Sequence, residues 1–249
     1  MPLSHRLRIF ERMGLQAAVV LPFTRQLSLL RPEAFVETIL VSKLRARHVW
    51  VGENFMFGRK QMGDVTLLKE LGRDFGFGVG IVGPVRAQGI WISSTHIRRL
   101  IAQGALKEAE GLLGRPVSIL GHVASGARLG RKLGFPTANL SGVEGCLPPR
   151  GVYAVWVRQN GCVWGGMMNI GFKPTILPVV ASRPHTLEVH LFDFKGNLYG
   201  KDLEVDFAGR IRDERRFPSV SRLARQLISD AQAAKRILTK RGLYTPQAL

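Results

Sequence analysis

The residues best suited to chemistry lie in one glycine-rich stretch, residues 121–140, which reads GHVASGARLGRKLGFPTANL. It contains four glycines, two arginines and one lysine. Glycines let backbone N–H groups approach an anion closely, and basic side chains add charge to such a cradle. Thr137 and Asn139 add oxygen ligands of the kind that Mg²⁺ prefers. The stretch therefore indicates nucleotide chemistry, with a glycine-rich hairpin bearing solvated charges as the simpler alternative.

The spacing within this stretch separates it from the common nucleotide motifs, because it contains neither G-x-x-x-x-G-K-[ST] nor G-x-G-x-x-G. Its order, G-x₄-G-x₃-G-R-x₂-G-F-P-T-A-N, closely resembles the signature of riboflavin kinase, which transfers the γ-phosphoryl of ATP to the 5′-hydroxyl of riboflavin. The resemblance implies ATP and riboflavin as substrates. It also implies that Mg²⁺ or a similar divalent cation is held by Thr137 and Asn139. The same two residues would contact ATP phosphates together with Gly126, Gly130 and Arg131.

Glu188 is the candidate catalytic residue. It lies in the predicted strand HTLEVHL, where period-two alternation places Thr186, Glu188 and His190 on one face and three apolar residues on the other. A carboxylate on a rigid strand can orient and deprotonate a hydroxyl group. The resemblance places the kinase's base here, although a solvent-facing glutamate is the simpler interpretation of the residue alone.

Further segments of residues 116–240 match the kinase pattern in order. Asn169, in Asn-Ile-Gly, matches a segment beside the flavin site, with an ordinary β-turn as the alternative. Arg212 opens an I-R-x-E-x-x-F element, where it could reach a phosphate or the flavin. Pairing of Arg212 with Asp213 or Glu214 as ordinary surface charge is the alternative.

The first part of the chain resembles the later part of an FMN adenylyltransferase domain, which many bacterial riboflavin kinases carry and which makes FAD. Asn54 lies in VGENFMFGR, similar to the family's V-G-x-[ND]-F-x-F-G motif. The segment ISSTHIR resembles I-S-S-T-x-I-R, a helix N-terminus suited to phosphate. Its polar residues are Ser93, Ser94, Thr95 and Arg98, and an ordinary helix N-cap is the alternative.

One motif of that family has no counterpart in this sequence. The resemblance implies an H-x-G-H pair that stabilises the transition state on ATP, but none of the six histidines are spaced in this way. We therefore expect a chain that starts inside the family pattern, through a misassigned start or as a natural remnant. The expected outcome is FMN formation with FAD formed poorly or not at all. The alternative is a full bifunctional FAD synthetase whose first segment is missing from the sequence.

The elements that must position these residues fall into two predicted domains, 1–114 and 115–249. The first alternates helices with short apolar segments, including residues 17–21, 48–51 and 79–82, which predicts a partial nucleotidyltransferase-like parallel α/β sheet. The second has strands separated by Gly/Pro-rich turns, which predicts a small antiparallel barrel. The resemblance makes that barrel a Greek-key riboflavin kinase domain. A C-terminal amphipathic helix, roughly residues 221–238, should close it with Leu223, Leu227 and Ile228 inward.

The amino-acid composition and net charge exclude some further classes of protein. With 249 residues, 45% hydrophobic and 22% charged, the chain has the balance of a globular protein without a membrane span. Two cysteines without metal spacing favour reduced thiols and a cytoplasmic location. The net charge of +18 would also suit a basic nucleic-acid-binding barrel, but 8% aromatic content and the ordered PTAN motif argue against that class. We expect small-molecule substrates, with no nucleic acid or membrane partner.

Overall fold

The computed structural model describes residues 1–87, 89–125, 130, 133–172 and 185–242. By its contacts the chain divides into two compact units, Val19–Ile92 and Met1–Ala18 together with Ser93–Leu249. Helix α1 (Leu3–Arg12) therefore belongs to the same unit as the C-terminal half of the chain. The domain boundary at residue 114 concerns sequence modules and stays a prediction.

The unit Val19–Ile92 is a small α/β structure. Parallel strands β1 (His48–Gly52) and β2 (Gly78–Val82) are joined through helix α4 (Val65–Phe75), which Asp64 caps and Gly76 ends in the left-handed conformation. This confirms the predicted parallel sheet. The apolar run at 17–21 forms no strand, and Val19 and Val20 are exposed. The remaining elements are α2 (Arg25–Leu29), α3 (Pro32–Phe35), a π-helix (Val36–Lys43), a 3₁₀ turn (Arg59–Gln61), β3 (Arg86–Ala87) and β4 (Ile90–Trp91).

The other unit contains a closed antiparallel barrel, which among the described residues has six strands in the order β10-β5-β6-β9-β8-β7. The long connection between β6 and β7 places β6 beside β9, which gives the predicted Greek key. The strands are β5 (Ser118–Ala124), β6 (Ala138–Ser141), β7 (Gly151–Gln159), β8 (Cys162–Phe172), β9 (His185–Leu191) and β10 (Asp202–Arg212).

The barrel interior is apolar because alternate residues of each strand point inward. The alternation leaves polar side chains, Glu188 and Glu204 among them, on the outer surface of the barrel. The inward set includes Tyr153, Val155, Val157, Leu187, Val189, Leu191, Leu203, Val205 and Phe207, all buried.

Helices cover parts of the barrel's outer surface. Helix α7 (Val220–Arg241) packs on β7, β8 and β10 through Ala234 and Leu238, and confirms the predicted C-terminal helix. Ile228, predicted to face inward, is instead 51% exposed, because it lies about 100° around the helix from Leu227. Helices α5 (Ser94–Gln103) and α6 (Leu106–Leu113) complete the unit. No helix in the described part of the chain has the length and apolar character needed to cross a bilayer.

Candidate active site

A single row of side chains crosses the outer surface of the barrel through five neighbouring strands. Asn139 lies opposite Glu188, and Glu188 lies opposite Asn169. Asn169 in turn pairs with Val152, and Val152 with Arg212. Directly paired residues of antiparallel strands have adjacent side chains on one face. The strand register therefore brings together four of the residues that the sequence predicted to form the kinase site.

This row forms the floor of a cavity of about 330 Å³ beneath α7. The polar groups at the cavity include Asn139, Asn169, Glu188 and Arg212, together with Thr137 at the edge of β6. Its size falls within the range of small-molecule sites. The apolar part of the lining could accept a planar ring, and it consists of Leu133, Phe135, Val152, Met167, Phe217, Leu223 and Leu227.

A second cavity, of about 500 Å³, lies on the other side of the start of β6. Pro136 and Ala138 line this second cavity only, whereas Thr137 lines both. The remaining lining comes from β5, β9 and the turn after β9, with Val123, Val189, Leu191, Phe194, Gly196, Asn197, Leu198 and Tyr199. Two ligands bound in these cavities would meet at Thr137.

Arg212 makes an ion pair that the sequence did not predict. Its Nη2 donates to Oδ2 of Asp230 at 2.7 Å, and its Nε lies 3.0 Å from both carboxylate oxygens of Asp230. Asp230 is 1% exposed and belongs to α7. Arg212 also donates to the backbone carbonyl of Asp213 at 2.8 Å. The sequence offered a phosphate or the flavin, or surface pairing with Asp213 or Glu214, as partners of Arg212. The structure adds the buried carboxylate of Asp230, and this pair fastens α7 over the cavity.

The carboxylate of Glu214 lies over strand β8, close to Gly171. An ideal Cβ placed on Gly171 would lie 2.5 Å from Oε1 of Glu214 and 2.9 Å from Nδ2 of Asn169. Only glycine fits at position 171 without displacing one of these groups. The glycine in the Asn-Ile-Gly segment thus allows Glu214 to approach Asn169 at the cavity wall.

His190 is a cavity residue to which the sequence assigned no role. Its Nδ1 lies 2.7 Å from the carbonyl oxygen of Pro136, so Nδ1 carries the proton and donates. Burial lowers the pKa of His190, against the opposing effect of this hydrogen bond. Period-two alternation placed His190 on the face of Glu188, which was the signal available in the sequence.

The phosphate cradle predicted from the sequence includes Gly126, Gly130 and Arg131. Gly126 and Arg131 lie outside the described residues. The carbonyl of Gly130 accepts hydrogen bonds from the N–H groups of Leu133 and Phe135 at 3.0 and 2.9 Å. A Cβ on Gly130 would collide with the carbonyl oxygen of Phe135, so only glycine fits at position 130.

The residues predicted for adenylyl transfer are divided between the two compact units of the chain. Asn54 is exposed in the turn after β1, in the unit Val19–Ile92. Ser93 caps α5 in the barrel's unit, where its hydroxyl accepts from the N–H of His96 at 3.1 Å. Ser94, Thr95 and Arg98 are exposed on the first turns of α5. Among the described residues, no cluster of three His, Cys, Asp or Glu side chains could hold a metal ion.

Comparison with known families gives two matches that divide the chain. The riboflavin kinase family model matches residues 113–238, and the FAD synthetase family model matches residues 1–96. Because the FAD synthetase family matches residues 1–96, the expected loss of FAD formation is not supported.

Several bacterial relatives are named bifunctional riboflavin kinase/FMN adenylyltransferase. The protein of Haemophilus influenzae is 38% identical over 236 residues, which are 94% of this chain and 75% of the relative. The Escherichia coli K12 protein is 37% identical over 245 residues, which cover 98% of this chain and 76% of the relative. A crystal structure described as a macrolide-efflux protein from Streptococcus pneumoniae has 32% identity and a TM-score of 0.75, and the alignment covers 94% of this chain and 75% of that one.

Proposed function

Because this chain belongs to the bifunctional riboflavin kinase/FMN adenylyltransferase family, we propose that the cavity beneath α7 is the active site of its riboflavin kinase domain. The kinase transfers the γ-phosphoryl of ATP to the 5′-hydroxyl of riboflavin and so produces FMN. The observation that carries the proposal is the row Asn139–Glu188–Asn169, which sets a carboxylate between two amides at the floor of a ligand-sized cavity.

We assign riboflavin to the 330 Å³ cavity and ATP to the 500 Å³ cavity. Phe135, Met167 and Phe217 provide apolar surface for the isoalloxazine ring, and Asn169 provides hydrogen bonds. Arg212 acts mainly through its pair with Asp230, which holds the helix that closes this cavity. The γ-phosphoryl of ATP and the 5′-hydroxyl would then meet beside Thr137, which lines both cavities.

Glu188 orients the 5′-hydroxyl and accepts its proton as the phosphorus–oxygen bond forms and the bond to ADP breaks. Phosphoryl transfer depends mostly on positioning and charge stabilisation, so one such carboxylate is sufficient. Thr137 and Asn139 present a hydroxyl and an amide oxygen beside Glu188, a donor set of hard oxygens that suits Mg²⁺. When bound there, Mg²⁺ would neutralise charge on the transferring phosphate.

Product analysis by chromatography tests the proposal. The chain is incubated with riboflavin, ATP and Mg²⁺, and the Glu188→Gln variant serves as the matched control. We expect FMN from the wild type and very little from the variant. Folded wild-type protein that forms no FMN would overturn the proposed function, and equal FMN formation by the variant would overturn the role of Glu188.

A second candidate activity is adenylyl transfer from ATP to FMN, which yields FAD and pyrophosphate. The FAD synthetase match over residues 1–96 favours it. Supplying FMN in place of riboflavin isolates this step. FAD formation that is unaffected by Glu188→Gln would assign it to a site separate from the kinase cavity, and no FAD from FMN would count against the activity in this chain.

A further inference from the structure

The proposed ATP-contacting residue Thr137 lies just before a strand. Pairing of β6 with β9 runs from Ala138 opposite Val189 to Leu140 opposite Leu187. Pro136 cannot extend this ladder as a donor because proline has no N–H. Its carbonyl instead accepts the hydrogen bond from Nδ1 of His190 at 2.7 Å. A side chain from β9 thus holds the chain at the point where backbone pairing stops.

The His190 ring is itself fixed on two sides. Its centroid lies 5.3 Å from that of Phe135 and 5.7 Å from that of Phe192, with interplanar angles of 66° and 73°. Both are edge-to-face contacts, which restrict rotation of the ring. His190 is only 9% exposed, so its hydrogen bond lies in a low-dielectric environment where such a bond is stronger.

The two proposed metal ligands, Asn139 and Thr137, are therefore held in position by different interactions. Asn139 is fixed by backbone pairing with Glu188. The carbonyl of Pro136 belongs to the same planar peptide unit as the nitrogen of Thr137. A group that fixes this carbonyl also fixes the direction in which the chain enters Thr137, and so influences where the Thr137 hydroxyl lies.

We propose that His190 is a positioning residue of the kinase reaction, which holds the Pro136–Thr137 peptide so that the Thr137 hydroxyl faces the reacting phosphate. The inference rests on the proposed function, because it assumes that Thr137 contacts ATP phosphate and its metal ion. His190 acts through Thr137 and needs no contact with either substrate.

Two complementary variants separate the donor from the ring. His190→Phe keeps an aromatic ring between Phe135 and Phe192 but removes the donor. His190→Asn removes the ring but carries an amide N–H close to the position of Nδ1. We expect the Mg²⁺-dependent affinity for ADP, measured by titration calorimetry, to fall roughly tenfold in His190→Phe and to recover partly in His190→Asn. Riboflavin affinity should change by less than about threefold in both.

A double-mutant cycle with Thr137→Ala gives the decisive measurement. If His190 acts through Thr137, His190→Phe causes no further loss of Mg·ADP affinity once the Thr137 hydroxyl is gone. Losses that multiply in the double variant would overturn the inference, as would Mg·ADP affinity in His190→Phe equal to that of the wild type. Thermal unfolding shows whether each variant is folded. Should His190→Phe not fold, the cycle is run with His190→Gln, whose longer side chain places its amide away from Nδ1 and should behave as His190→Phe does.

The outcomes also separate this inference from the proposed function. A folded wild type that forms no FMN from riboflavin, ATP and Mg²⁺ refutes the function itself. A wild type that forms FMN, together with additive effects of His190→Phe and Thr137→Ala, refutes only the positioning role of His190.

Discussion

Helices α7 and α1 cover different parts of the outer surface of the same barrel, and the acidic residues beneath them differ in burial and in surroundings. Beneath α7, Glu188 lines a cavity of about 330 Å³ that can admit a substrate. Beneath α1, Glu204 is 1% exposed, and the void nearby is about 30 Å³, lined in part by Arg12 and Asp206. One face is built around space for a ligand, and the other is nearly filled by protein.

The filled face satisfies its charges internally. Glu204 accepts hydrogen bonds from Nε2 of His5 at 3.1 Å and from both terminal nitrogens of Arg12 at 2.5 Å. Asp206 accepts from Nε of Arg158 at 2.8 Å. Burial alone would raise the pKa of Glu204, but the hydrogen bonds from His5 and Arg12 outweigh it and lower the pKa to about 2. The comparison indicates that the carboxylate of Glu204, held by His5 and Arg12, stabilises the fold. The half-buried carboxylate of Glu188 lines an open cavity, where it is available to the proposed ligand.

The largest expected effect is on catalysis, from Glu188→Gln. Loss of a positioned general base lowers rates by about 10²- to 10⁴-fold, and we expect kcat to fall by that amount. Riboflavin affinity should change little, because the amide keeps the shape of the carboxylate. Steady-state kinetics and riboflavin titration measure the two quantities, with Glu204→Gln as the matched control of unchanged kcat. Equal losses in rate and in affinity would contradict the role as base.

The next effect is on stability, from Asp230→Asn. This change leaves Arg212 without its buried partner charge and should lower the free energy of unfolding by about 4 kcal/mol. Asp213→Asn is the matched control, because Asp213 is largely exposed and its pairing with Arg210 should contribute less than about 1 kcal/mol. Denaturant unfolding compares the two variants. Similar losses in both would mean that the Arg212–Asp230 pair does not fasten α7.

Asp230 also illustrates what local sequence patterns do not predict, namely a contact between distant elements. The alternation in HTLEVHL predicted correctly that Glu188 and the apolar residues of this strand occupy opposite faces, and the Gly/Pro-rich turns predicted an antiparallel barrel, although not each of its strands. The partner of Arg212 could not be predicted, because Asp230 lies 18 residues later on a helix whose placement depends on tertiary packing. Local periodicity specifies which face a residue occupies, but it does not specify which element covers that face.

Local sequence patterns likewise did not predict the contacts of α1 or the structure of the apolar run that follows it. Nothing in the local sequence pattern of α1 indicated that His5 and Arg12 would meet Glu204, nearly 200 residues later. The run at residues 17–21 has the composition of a strand, yet a strand forms only where another strand pairs with it. Long-range pairing therefore determined the outcomes that sequence reasoning missed.

Glu204→Gln tests the filled face directly. The variant removes the charge that His5 and Arg12 share, and we expect a loss of about 3 kcal/mol in the free energy of unfolding. Both kcat and the KM for riboflavin should stay unchanged, because this face lies outside the cavity proposed as the kinase site. Denaturant unfolding and steady-state kinetics make the two measurements. A kinetic defect in a fully folded variant would break the distinction between the two faces.

Acid should weaken the same cluster. The pKa of Glu204 is about 2 in the folded protein, below the ordinary value of 4.5, so folding favours the charged form. Its contribution is complete above the ordinary pKa and is lost as the pH falls toward 2. At pH 3 we expect roughly 2 kcal/mol of this contribution to be gone. Unfolding measured from pH 6 to pH 3 should show a shallower decline in Glu204→Gln than in the wild type, and parallel curves would contradict the assignment.

The smallest effects distinguish the two sides of α7 itself. Leu227 is half-buried and lines the cavity, so Leu227→Ala should lower the free energy of unfolding by about 1.5 kcal/mol and raise the KM for riboflavin severalfold. Ile228 is 51% exposed, and Ile228→Ala should change the free energy of unfolding by less than about 0.5 kcal/mol and leave the KM unchanged. The two changes are nearly equal in volume and occupy adjacent positions, so the volume removed and the location in the chain are matched. Equal effects in denaturant unfolding and in kinetics would mean that α7 presents a different face to the barrel. In that case the assignment of the apolar cavity lining to riboflavin would be wrong. The polar row Asn139–Glu188–Asn169 would be unaffected, because it depends on strand register alone.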